Sequence, residues 1–254
     1  MVVSILAMLT AILLPSLGRA RRQAISAACK SNMRQMGIGM TMYTHEYGMF
    51  PAHQWIIAGP PEVRFRWFNA MVRMLGGYKV QNCPAVADWE VGRNNSYGYN
   101  YKYLGSAREN ASGPKAPYES FPVKSVRMPG RTIAFGDTDG TGWKKAHVNG
   151  VNDPDMYGNH GYTLDPTFIP EFSLQSYSGG ENEPYAWKRY RTYISTRHLG
   201  GSNLCFADGH VESMVPRHVY VDNRFWNGLG AEDPARDRHV PFRHLDGEWR
   251  FAGI

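Results

Sequence analysis

Along the first fifty residues the hydrophobic pattern changes character once without stopping. Residues 1–18, MVVSILAMLTAILLPSLG, carry no charge, and Arg19 is the first ionised side chain. From Ile25 onward apolar positions recur at Cys29, Met33, Met36, Met40, Tyr43 and Tyr47, in steps of 4, 4, 3, 4, 3 and 4. Those steps draw one apolar stripe down one face of a helix, and Gly48 and Pro51 supply its stop. The pattern predicts one helix over about residues 2–46, roughly 70 Å long at 1.5 Å per residue. Its first third is apolar all round and reaches about 27 Å, the lower limit for crossing a bilayer. The rest is amphipathic, as expected of a helix lying on a globular head. Pro15 removes one helical hydrogen bond and should bend the helix, which a membrane tolerates better than water does. A cleaved signal peptide is the competing reading. It is weakened because no basic segment precedes the apolar run and no small-x-small site precedes Arg19.

After Pro51 the periods shorten. WFNAMVRML (67–75) predicts a short helix, while SYGYNYKYLG (96–105), RTIAFGD (131–137), TYIST (192–196), NLCFA (203–207) and HVESM (210–214) predict strands. Residues 138–186 alternate turn residues with aromatics without a clear period and read as a loop insertion, and residues 216–254 are expected to wrap the head. The fold class is therefore α+β: a long helical segment, residues 1–50, packed on a β-rich antiparallel head, residues 51–254. With 27 glycines and 16 prolines, the composition suits many short strands joined by turns.

Asp208-Gly209 is the strongest hairpin signal in the chain. A two-residue type I′ turn there would pair Ala207 with His210, Phe206 with Val211 and Cys205 with Glu212. Leu204, Phe206 and Val211 would then share the core face. If YISTRH folds back on NLCFA, His198 falls near Asn203 and about 17 Å along the strand from Asp208. The two would hold separate ends of a three-stranded meander and could not act as a catalytic dyad.

Charge and candidate chemistry change this picture little. A net charge of +6 is mild and fits a solvated face. The three cysteines, Cys29, Cys83 and Cys205, share no C-x-x-C spacing, so zinc and thioredoxin-like readings fail on spacing; Cys83 and Cys205 could pair in an exported protein. Asp137 and Asp139 in DTDGTG are a weak calcium pair, since calcium takes six or more oxygens and the EF-hand spacing is missing. Trp187, Arg189, Arg191 and Tyr193 interleave aromatic and basic side chains that could bind a glycan or another polyanion by stacking and charge, although a two-sided strand gives the same pattern. No specific nucleic-acid recognition is expected. There is no G-x-S-x-G, no Gly-rich phosphate loop and no second zinc histidine beside THEYG. With no nucleophile, base and orienting group at recognisable spacing, no enzymatic activity and no cofactor beyond that weak calcium pair are expected.

The segment AMLTAILLPSLGRARRQAISAACKSNMRQMGIGMTMYTHEYGMFP resembles the start of bacterial prepilin-type proteins, the type IV pilin and type II secretion pseudopilin superfamily. Cys29, Asn32, Met33, Arg34, Gln35, Gly37, Tyr43, Phe50 and Pro51 stand at matching places. A branch of that superfamily ends in a head carrying His, nine residues, then Asp-Gly, matched here by His198, Asp208 and Gly209 as a structural motif. The islands CP at 83, SYGYN at 96, PGRTIAFGD at 129 and NLCFADGHVE at 203 match the same branch. The family's cleavage Gly or Ala, its following Phe and its nearby Glu have no counterpart, because Met1 aligns several residues inside the family's helix. A chain starting there is expected to escape the prepilin peptidase. The resemblance implies a structural subunit anchored in the bacterial inner membrane, with neighbouring pilin-like subunits met through the N-terminal helix and a periplasmic or extracellular head. It also keeps calcium in view, because the superfamily's major pseudopilins include calcium-binding heads. The basic run Arg19-Ala20-Arg21-Arg22 taken alone would leave the head in the cytoplasm; the resemblance places it outside.

Overall fold

A computed structural model of the chain describes residues 2–57, 63–77, 80–86, 96–105, 122–140, 163–164, 193–220, 223–229, 242–243 and 249–250. Most of the expected 138–186 insertion and much of the segment after residue 220 lie outside the described residues. Helix α1 runs unbroken from Val2 to Tyr47 with Pro15 inside it. In its apolar part the hydroxyls of Thr10 and Ser16 donate to the carbonyls of Leu6 and Leu13, so neither polar side chain needs water. The stripe becomes the buried face: Cys29, Met33, Met36 and Met40 are buried, together with Gly37 and Gly39. Tyr43 is half-buried, and Tyr47 is exposed with its ring centroid 4.6 Å from that of Tyr43.

A short hairpin, β1 (Gln54–Ile57) and β2 (Val63–Arg66), leads into α2 (Trp67–Leu75). Gly76 ends α2 in the left-handed conformation, which a residue without Cβ adopts freely. The main sheet is antiparallel, in the order β3 (Tyr97–Tyr99), β4 (Ile133–Gly140), β6 (Ser202–Phe206), β7 (Val211–Met214). A two-residue strand β5 (Tyr193–Ile194) also pairs with β4. A long helix followed by an antiparallel sheet is the α+β fold that the sequence pattern predicts.

Every residue of β6 is buried, because the sheet is covered on both faces. On one face Cys205, Phe135, Tyr97 and Tyr99 pack with α1 and α2 residues Met33, Met36, Trp67 and Met71. Trp67 stacks on Tyr99 with ring centroids 5.2 Å apart. On the other face Leu204 and Phe206 join Ile133, Leu164, Ile194, Val219 and Trp226.

Three expectations about the head are corrected. SYGYNYKYLG is a strand only over Tyr97–Tyr99, and Tyr101–Leu104 is a helical turn instead. The segment before His198 does not fold back on β6; β5 pairs with β4, and β4 lies between β3 and β6. The hairpin register also differs by one residue: Cys205 faces Val211 and Leu204 faces Glu212. Gly209 has φ +90° while Asp208 is not in the positive-φ region, so the type I′ turn is not formed. Instead Gly209 N–H donates to Phe206 O and Phe206 N–H to His210 O, which closes a three-residue loop on a left-handed glycine. Asp208 Oδ1 accepts from His210 N at 3.1 Å and lies 2.6 Å from His210 Nδ1, holding the loop. A one-residue slip exchanges the two faces of a strand. Val211 accordingly packs with Cys205 on the helix side rather than with Leu204 and Phe206.

Candidate metal centre

Four side chains from four separate places in the chain meet under α1. Cys29 comes from α1 itself, Cys83 from the segment after α2, Asp137 from β4, and His198 from the turn between β5 and β6. That turn is tight: His198 N–H donates to Gly201 O and Gly201 N–H to His198 O. Leu199 there has φ 57°, an unusual state for a non-glycine residue, followed by Gly200 at φ 84°. The turn thereby points His198 back into the sheet. The sulfur, nitrogen and carboxylate ligand atoms of the four side chains all lie within 4.8 Å of one another, and all four residues are buried.

The contacts are specific. His198 Nε2 lies 3.3 Å from Asp137 Oδ2 and 3.3 Å from Cys83 Sγ. Cys29 Sγ lies 3.4 Å from Asp137 Oδ1 and 3.4 Å from the Tyr97 hydroxyl. Around them stands a set of fixed groups. Asn203 N–H donates to Asp137 Oδ2 at 2.9 Å, and Cys83 N–H donates to Ser96 Oγ at 2.6 Å. The Arg197 guanidinium lies 3.8 Å from Asp137 Oδ1 and donates to the carbonyls of Ser96 and Thr138. Asn203 also reaches Ser26 O and Asn32 reaches Asn82 O, so α1 is tied to the head on both sides of Cys29.

The electrostatics follow from burial and from this crowding. Burial pulls the His198 pKa down, but its bonds to Asp137 and Cys29 outweigh that and lift it to about 9. Burial is also the main reason the Cys29 thiol is pushed up, with Cys83 and Asp137 adding to it. The Cys83 thiol is held below its usual value by the hydrogen bond from Cys29, against the effect of burial. A Cys–His–Asp relay needs the acid on one ring nitrogen and the thiol on the other. Here Asp137 and Cys83 both address the same nitrogen, so the group converges on a point rather than forming a chain.

The residues singled out in the sequence are distributed as follows. Asp137 and Asp139 lie in β4, not in a turn, and Asp137 is wholly buried in the cluster. His198 is brought to Asp137, whereas Asp208 sits on the hairpin with His210. Gly209 is the left-handed residue of that hairpin. Tyr193 opens β5; Trp187, Arg189 and Arg191 lie outside the described residues. Cys83 and Cys205 are not paired: all three cysteines are free, with Cys205 packed beside Gly37 of α1 and Cys83 beside His198. Sequence spacing did not join Cys29, Cys83, Asp137 and His198, because no two of them come from the same element. The available signal was indirect: each lies in one of the short islands that carry the prepilin resemblance.

A family model described as "Protein of unknown function (DUF1559)" matches residues 18–82, roughly a quarter of the chain. It spans the packed part of α1, both strands of the first hairpin and α2, and ends one residue before Cys83. No curated protein and no solved structure matches the chain.

Proposed function

We propose that the chain is a pilin-like structural subunit of a type II secretion or type IV pilus-like assembly. The first third of α1 is embedded in the bacterial inner membrane, and the head lies in the periplasm or outside the cell. One observation carries this reading. The large apolar side chains from Val2 to Leu17 are all more than half exposed, 72% and 68% at the two ends, on a helix that is buried against the head at residues 29–40. A soluble monomer does not leave so long an apolar surface in water, and the same helix is long and apolar enough to cross a membrane. The partners of that surface are the bilayer and the corresponding helices of neighbouring subunits. In this reading the subunit is structural rather than catalytic, which is supported by the burial of Cys29, Cys83, Asp137 and His198 and by Asp137 and Cys83 addressing the same His198 nitrogen.

Fractionation and cross-linking of the full chain test the reading. Expressed in a bacterium, it should stay with the membrane through alkaline carbonate extraction and become extractable when residues 2–18 are deleted. The head should be digested by protease added outside the inner membrane. Cysteines placed at Leu9 and Leu13 should form subunit-to-subunit cross-links. A chain found in the soluble fraction would overturn the anchor, and an anchored chain that never cross-links would overturn the assembly.

A further inference from the structure

We infer that Cys29, Cys83, Asp137 and His198 form a structural site for one divalent transition-metal ion, zinc by its donor set, that clamps helix α1 to the head. Zinc is held tetrahedrally at about 2.3 Å from sulfur and about 2.0–2.2 Å from nitrogen or oxygen, which puts neighbouring ligand atoms roughly 3.3–3.8 Å apart. His198 Nε2 stands 3.3 Å from Cys83 Sγ and 3.3 Å from Asp137 Oδ2, and Cys29 Sγ stands 3.4 Å from Asp137 Oδ1, so neighbours already have that spacing through one or other carboxylate oxygen. With one ligand atom taken from each residue, the widest separation is no more than 4.8 Å. Only small side-chain adjustments are needed to surround an ion.

The chemistry of the donors selects the metal. Two thiolates and an imidazole suit zinc, while calcium and magnesium require oxygen ligands and find one carboxylate here. Charge closes as well. Two thiolates and one carboxylate around a divalent cation leave one negative charge, and the Arg197 guanidinium beside Asp137 offsets it. The outer groups fit the same role: Tyr97 at Cys29, Asn203 N–H at Asp137 and Ser96 at the Cys83 backbone hold the ligands in position.

Four protein ligands with no exposed position make a closed site, which is structural rather than catalytic. Its ligands are 54, 54 and 61 residues apart in sequence. The ion therefore joins the stalk helix, the segment after α2, the central strand and the β5–β6 turn in one bond set. Since such a site does not exist in the unfolded chain, ion binding becomes part of the folding of the head onto the helix.

The test uses the full chain in detergent micelles, purified under reducing conditions, stripped with a chelator and titrated with Zn2+ and separately with Co2+. The expected result is about one Zn2+ per chain and a melting temperature that rises with free Zn2+. The Co2+ form should show the intense visible bands of a tetrahedral site and a near-ultraviolet thiolate charge-transfer band. Cys83→Ser and His198→Gln should abolish these signals. Because a ligand variant can simply fail to fold, Tyr97→Phe supplies an independent reading. It keeps all four ligands and the circular dichroism of the parent, and should weaken Zn2+ binding by roughly tenfold or more. The site is overturned if the stripped chain takes up no stoichiometric Zn2+ and its melting temperature ignores the ion. It is equally overturned if protein isolated without reductant carries a Cys29–Cys83 disulfide, or if Tyr97→Phe leaves Zn2+ affinity unchanged.

Discussion

Gly37 of α1 lies so close to Cys205 of β6 that a Cβ on Gly37 would stand 3.0 Å from the Cys205 sulfur and 3.0 Å from Gly209 O. The glycine lets the helix backbone settle onto the sheet beside the Asp208-Gly209 loop. Gly37→Ala gains about 1 kcal/mol of helix propensity but overpacks a tight contact, at a cost of about 1–3 kcal/mol. A net loss of up to ~2 kcal/mol is expected, read as a lower melting temperature of the detergent-solubilised chain. Gly37→Leu should go further and lift the helix, seen as faster labelling of Cys205 by a thiol reagent. Unchanged melting and labelling in both variants would show that the helix is not seated there.

Gly105 poses a stricter demand. A Cβ at this position would stand 2.2 Å from Pro51 O and 3.0 Å from Ala52 Cα, both backbone atoms. Neither can rotate away, and the neighbouring His53 N–H to Gly105 O bond fixes the two segments together. Gly105→Ala should cost about 3 kcal/mol or more, measured by chemical denaturation, and a loss below that of Gly37→Ala would contradict the packing.

Asn100, directly after β3, ties the start of β4 to the turn at Trp226 by donation. Its Nδ2 donates to Ile133 O at 2.8 Å and to Trp226 O at 2.9 Å, all in the buried interior. Asn100→Ala leaves both carbonyls without that donor, a loss of about 1–3 kcal/mol for each group left unmade. Asn100→Asp keeps the shape but turns the donor into an acceptor facing two acceptors. It is expected to be worse than alanine, and an aspartate variant as stable as the parent would sink the assignment.

The hairpin loop separates a conformational effect from a hydrogen-bond effect. Gly209→Ala places an L-residue at φ +90° beside Thr41 Oγ1, for a loss of about 1–2 kcal/mol. Asp208→Ala removes only the exposed bonds to His210, worth about 0.5–1.5 kcal/mol. Denaturant midpoints should rank Gly209→Ala below Asp208→Ala; the reverse order would mean that the loop is held by the aspartate.

Burial also predicts thiol behaviour. All three cysteines are buried and free, and burial pushes the Cys205 thiol above its ordinary range. Alkylation of the native chain at neutral pH should be slow at every cysteine, slowest at Cys205, and complete only after unfolding. Rapid modification of Cys205 in the folded chain would count against this packing.

The sequence by itself determined the long helix, its division into an apolar and an amphipathic part, the stripe from Cys29 to Met40, and the antiparallel character of the head. These are properties of short-range period and of local stops, and a chain reports them without its partners. Three matters belonged to the tertiary structure. The register of the β6–β7 hairpin turned on Asp208 keeping an ordinary backbone conformation, so that Gly209 alone took the left-handed state and a third residue entered the loop. The partner of β5 was decided by β4 inserting between β3 and β6, a long-range pairing that no local pattern encodes. The meeting of Cys29, Cys83, Asp137 and His198 required a helix, a connecting segment, a central strand and a tight turn to converge. Side chains contributed singly by distant elements leave no spacing in the sequence, because only the closing of the fold brings their ligand atoms together.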